Sequence, residues 1–349
     1  MVVALLVAAC GSVTTVSSPS ATASPSATAS PSATASPSGQ PSPGSPSTSA
    51  ATEPVSSGQI LFARTADGDR QAIFAAAADG TGEHQLTASG EYGGLIRISP
   101  DRTRILTMPG QDPLPTPITG GTLAIDGSGF VRLPLTDPTL NLIPQAWSPD
   151  GTRIAFAGFD DSKPGRTGVY TARVADGGDL VRVTTSKGAP LDAPLDYSPD
   201  GARLVFYRAV RAEPDFPTDI GGSLWVVNVD GSDAHPITTS ATPPFDWARW
   251  SPDGTRILFG IERLQPTGGL WAVGPDGSGL TKIFEDAEGR YPIHPTWSPD
   301  GSQIMFALDP VADKFTHPDN GLYVINADGT ALRLVIGSPD FKSMPEWWR

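Results

Sequence analysis

The chain has 349 residues, of which 38% are hydrophobic, and carries a formal net charge of −13. That apolar share supports a packed core and excludes a chain that is disordered throughout. The acidic balance, with no run of Lys or Arg, lacks the basic face that phosphate-backbone binding requires, so nucleic acid is not an expected partner.

The apolar run MVVALLVAA opens the sequence and is followed by Cys10, the single cysteine. It is too short to cross a bilayer but has the length of a secretory h-region. Val7-Ala8-Ala9-Cys10 followed by Gly11 resembles a bacterial lipobox, although no Lys or Arg precedes the run. The resemblance implies a signal peptide over residues 1–9, lipid on the Cys10 thiol and an extracytoplasmic, membrane-anchored location. One cysteine allows no internal disulfide, so the fold must rest on its core. Residues 10–57 are rich in Ser, Pro, Ala and Thr, with a recurring ATASPS hexad. Such a segment buries no apolar surface and reads as a disordered, semi-rigid linker, long enough to hold a domain up to ~120 Å from a membrane.

From Gly58 onward the chain repeats. WSPDGTRI occurs twice, at 147–154 and 250–257, and related copies are ISPDRTRI, YSPDGARL and WSPDGSQI. Their aspartates are Asp101, Asp150, Asp200, Asp253 and Asp300. A second motif, an aliphatic strand ending in Asp-Gly, interleaves at Asp79, Asp126, Asp176, Asp230, Asp276 and Asp328. The sixth copy of the first motif is split: Gly58 to Phe62 read like the strand after the turn, and Met344 to Trp347 like the strand before it. A terminal strand that completes the initial sheet is the mark of a closed ring.

Each unit reads as four antiparallel strands. A first strand ends at the aromatic of WS, Ser-Pro-Asp-Gly makes a type I turn, and an alternating second strand follows, as in Arg153 to Phe156. A third strand, such as Ser223 to Val227, meets the Asp-Gly turn and leads into a fourth, such as Gly279 to Ile283. Six such units over 58–349 predict an all-β, six-bladed β-propeller, with helices nearly absent. The pattern P-x-W-S-P-D-G-x-x-I-x-F, as in HPTWSPDGSQIMF at 294–306, resembles the propeller repeat of the TolB family, also called the WD40-like or PD40 repeat. The resemblance implies the fold across 58–349. TolB proteins place an additional α/β domain before the propeller, where this chain has only the linker, so their envelope role does not transfer directly.

The turn aspartates read as caps of their own turns, since the stretch Asn228 to Asp233 lacks the further oxygen ligands of a calcium loop. The aromatics Trp147, Tyr197, Trp250, Trp297 and Trp347 read as packing between blades. The residue before each aromatic leaves its strand near the ring axis: Arg97, Ala146, Asp196, Arg249, Thr296 and Glu346. Mixed charge there predicts either mutual ion pairs or a polar ligand site in a central channel, where His294 also lies. Spacing from the first motif to the second varies more than the reverse, which puts length variation in the loops between second and third strands. Two of them carry mixed charge with an aromatic: Arg211, Asp215 and Phe216 in one, Lys314 and Phe315 in the other.

No nucleophile elbow, zincin, P-loop or dinucleotide fingerprint is present in the sequence. The expected function is a non-catalytic, extracytoplasmic lipoprotein, monomeric, whose propeller binds an envelope protein or cell-wall component. No cofactor is indicated. The competing class is a hydrolase or lyase using a divalent cation with channel acids such as Asp196 and Glu346.

Overall fold

A computed structural model describes residues 58–65, 70–110, 114, 116–185, 191–210, 221–239, 245–261, 268–286, 290–309 and 320–348. These form six four-stranded antiparallel sheets arranged as a ring, a six-bladed β-propeller. Cys10, the linker, and the loop residues Arg211, Asp215, Phe216, Lys314 and Phe315 lie outside the described residues.

The innermost strands, in ring order, are Lys342–Trp348, Tyr92–Ile98, Asn141–Trp147, Asp192–Tyr197, Phe245–Trp250 and Tyr291–Trp297. Blade one is the composite. Its inner strand Lys342–Trp348 pairs antiparallel with Gln59–Thr65, with Trp347 opposite Ile60 and Glu346 opposite Leu61. The split repeat therefore closes the ring through backbone hydrogen bonds between the two ends of the folded chain.

Local chemistry explains each turn. In Ser148-Pro149-Asp150-Gly151 the Gly151 amide donates to the Ser148 carbonyl at 2.8 Å, and Gly151 takes a φ of 71°. Asp150 Oδ1 accepts hydrogen bonds from the Ser148 hydroxyl (2.6 Å), the Thr152 amide (3.0 Å) and the Thr152 hydroxyl (2.9 Å). The Asp-to-Ser and Asp-to-backbone bonds recur at Asp101, Asp200, Asp253 and Asp300. These bonds, led by the serine, hold the carboxyls of Asp101, Asp150, Asp200 and Asp253 below the usual range. The contribution of such a depressed group is present above about pH 4 and is lost as pH falls through its folded value.

One copy departs from the pattern. Arg102 occupies the glycine position and adopts a φ of 62°. A left-handed conformation costs an L-residue roughly 1–2 kcal/mol. Arg102→Gly is expected to stabilise the domain by about 0.5–1 kcal/mol in urea unfolding, the rest being offset by the freer unfolded glycine.

Two ladders join neighbouring blades. The motif aromatics pack on the preceding blade: Tyr197 lies with Ala146 and Ala155, Trp250 with Leu195 and Val205, Trp297 with Leu258, and Trp347 with Ile293 and Met305. At two of these joints the arginine after the turn covers the next blade's aromatic, with Arg203 4.8 Å from the Trp250 ring centre and Arg256 4.9 Å from that of Trp297. Toward the outside, the Asp-Gly turns abut the outer strand of the preceding blade. A Cβ on Gly80 would lie 2.4 Å from the Val335 carbonyl oxygen, and one on Gly329 2.3 Å from that of Ile283. Gly80 contacts blade six from blade one, so this ladder also closes.

The outer strands are shorter than their sequences suggest. Four have two residues, and Thr281–Phe284 begins two residues later than expected because Gly279 takes a φ of 66°. The described residues contain a single 3₁₀ turn, Pro164–Arg166, and no helix long and apolar enough to cross a membrane.

Candidate functional site: a charged layer across the channel

Every inner strand carries a register shift shortly before its motif aromatic, for example between Asp246 and Arg249 and between Ile293 and Thr296. A bulge gives the inner strand an extra residue and re-aims its side chains. In three consecutive blades a non-glycine residue takes the left-handed conformation three positions before the aromatic: Trp247 (φ 44°), His294 (φ 51°) and Met344 (φ 52°). Blades three and four have Pro144 and Pro194 there, whose fixed negative φ forbids that geometry.

The residues before the aromatics meet across the axis. Arg97 (blade two) and Arg249 (blade five) stand on opposite sides, as do Glu346 (blade one) and Asp196 (blade four). Arg97 donates from Nη1 to Glu346 Oε1 at 3.1 Å, and from Nε to the Gln145 carbonyl at 3.1 Å. Arg249 donates from Nη2 to the same Glu346 oxygen. Asp196 makes no direct ion pair among the described residues. Its Oδ2 accepts the Trp250 amide and its Oδ1 the Tyr197 amide, each at 3.0 Å.

Aromatic rings complete the layer. The Arg97 guanidinium lies 4.4 Å from the Trp247 ring centre, and Trp247 meets His294 at 5.3 Å with a 50° tilt. Trp247 also joins the main apolar core with Ala193, Leu95 and Met344, so its indole reaches well beyond its own blade. Only 4% of Arg97 and 6% of His294 are exposed. Burial, then the Arg249 cation, lowers the Arg97 pKa to about 9, which leaves it protonated at neutral pH. Burial, then Arg97 and Arg249, holds His294 well below the usual imidazole range, so its ring is neutral there. Burial raises the Asp196 carboxyl against the opposing pull of both arginines.

The structure thus brings five sequence-predicted residues, Arg97, Asp196, Arg249, His294 and Glu346, into one cluster, with Thr296 and Ala146 buried beside them. Sequence reasoning missed Trp247. Its only signal was a second tryptophan three residues before Trp250, whose direction depends on the bulge. Among the described residues, no group of three or more His, Cys, Asp or Glu side chains is placed to hold a metal ion. On the opposite face, Arg166 bridges Asp137 and Asp160 and donates to the Thr139 hydroxyl at 2.9 Å, tying a second-to-third-strand loop to a connection between blades. Those two kinds of connection therefore share a face, away from the Asp-Gly and SPDG turns.

The fold is that of a TolB-like six-bladed propeller. The chain superimposes on TolB from Acinetobacter baumannii with a TM-score of 0.61 and 17% identity, covering 83% of this chain and 66% of that one. For a putative TolB from Agrobacterium tumefaciens the TM-score is 0.56 at 17% identity, covering 85% of this chain and 100% of that one. An oligogalacturonate lyase in complex with manganese gives a TM-score of 0.51 at 17% identity, covering 82% of this chain and 75% of that one. Likeness at this level shows the fold. No family model matches the sequence, and no curated protein matches it.

Proposed function

We propose that the protein is a non-catalytic binding scaffold held outside the cytoplasm by lipid at Cys10, with the long-loop face capturing an envelope protein or cell-wall component. The observation that carries this reading is the consumption of the repeated motif by architecture. Its aspartates are satisfied within their turns and its aromatics lie between blades, which leaves recognition to segments that differ between blades. The TolB-like fold supports it. Chain geometry supports it too: the described body begins at Gly58, whose carbonyl accepts the Ala78 amide at 3.0 Å beside the Asp79-Gly80 turn. The first described residue therefore lies on the turn face, on the side away from the loops between second and third strands.

Affinity capture with the intact, membrane-derived protein tests the reading. Shortening the loops at 208–221 and 308–320 is expected to abolish capture of a partner held by the unaltered chain. Retention of every partner by a folded loop-shortened protein would rule that face out.

The competing reading is a metal-dependent lyase or hydrolase. It rests on Asp196 and Glu346 in the channel and on the fold shared with the manganese-bound lyase. Glu346 is already engaged by two guanidiniums, which weighs against its use as a metal ligand. Manganese binding by calorimetry that disappears in Asp196→Ala would favour this second reading.

A further inference from the structure

Two opposed arginines share one oxygen of Glu346, and each keeps a buried N–H with no hydrogen-bond acceptor among the described residues: Nη2 of Arg97 and Nε of Arg249. A buried guanidinium with an unused donor costs free energy unless an acceptor reaches it. The fourth member of the layer, Asp196, does not supply that acceptor, because both its oxygens are turned to backbone amides. The layer nonetheless keeps contact with solvent, since Arg249 and Glu346 side chains retain 11% and 13% exposure and Asp196 is also partly exposed.

From this geometry we infer that the layer before the motif aromatics is a site for a single carboxylate, which enters the channel from the turn face and bridges Arg97 and Arg249 on the side away from Glu346. The charge count selects a monoanion. Only one carboxylate, Glu346, is in direct contact with the two guanidiniums, and Asp196 balances the second charge from a distance without pairing; a monoanion therefore adds the least excess negative charge, and a dianion would overshoot. Planar guanidiniums match a carboxylate's two oxygens through paired N–H donors. Asp196 acts as an internal competitor, placing like charge beside the ligand while making no direct pair with either arginine. This inference is independent of which face captures a macromolecule.

The test is thermal unfolding of the full chain as sodium formate replaces the sodium salt of a bulky sulfonate at constant ionic strength. Formate is expected to raise the melting temperature saturably, by about 5 °C at a hundredfold excess over its dissociation constant. Asp196→Asn should bind formate about tenfold more tightly, because one like charge is gone, and Arg249→Met should lose the response. A second arm compares triglycine free acid with its C-terminal amide. Tighter binding of the acid than of formate identifies a chain end as the source, and binding of formate alone identifies a free small carboxylate. No saturable shift in the unaltered protein, or an Asp196→Asn protein with unchanged or weaker affinity, overturns the assignment. Both of those outcomes are read from the unaltered and Asp196→Asn proteins alone, so the test holds even where Arg249→Met does not fold.

Discussion

Glu346→Ala should destabilise the propeller by about 3–5 kcal/mol, because it removes the acceptor shared by Arg97 and Arg249 and leaves two buried guanidiniums with no carboxylate in direct contact. The loss should exceed that of an ordinary surface ion pair, for which about 0–1 kcal/mol is typical. Three features place Glu346 in the first class. Arg97 is 4% exposed, the carboxylate is 13% exposed, and the two cations come from blades on opposite sides of the ring. Glu346 also belongs to the terminal strand, so the same side chain fastens the composite blade onto blades two and five. Urea unfolding measures the loss. In Glu346→Ala/Arg249→Met the cost should fall below the sum of the two single changes, since one of the stranded cations has gone. Strict additivity would mean that the pair is not coupled.

Trp247→Ala is expected to cost about 3–5 kcal/mol, the usual range for truncating a buried tryptophan. The indole is 8% exposed and shares a core with Ala193, Leu95 and Met344 from three other blades, while its face receives the Arg97 guanidinium. Its removal opens space on the axis and takes the ring from Arg97 at once. Trp247→Phe keeps a face for the cation and most of the apolar volume, so it should recover more than half of the loss. Equal losses for Ala and Phe in denaturant titrations would show that the ring surface is not what matters.

The blade count is legible in the sequence because each unit is marked by residues whose roles are local. Pro149, Asp150 and Gly151 dictate a turn wherever they occur together, and the split copy at Met344 to Trp347 needs only counting to predict its pairing with Gln59–Thr65. Side-chain alternation likewise places Arg97, Asp196, Arg249 and Glu346 at the axis. What stays hidden depends on two strands at once. The register shift that gives Trp247 and His294 a positive φ is set by the inner strand's pairing with its neighbour, and no single-strand pattern encodes it. Partner choice across the channel is equally unreadable. Four alternating charges are compatible with two separate pairs, whereas the structure directs both arginines to Glu346 and turns Asp196 to the Trp250 amide. The late start of the outer strand at Thr281 follows from Gly279, at a position that the motif alone reads as extended.

The most direct test of an architectural role for the repeated motif is a paired measurement of stability and partner capture on Asp150→Ala, made on the intact protein at a temperature where it stays folded. If the motif is architecture, losing the hydrogen bonds to Ser148 and Thr152 should lower unfolding stability by about 1 kcal/mol and leave capture unchanged. Loss of capture with stability and fold intact would contradict it, and would make the recurring aspartates a binding surface in their own right.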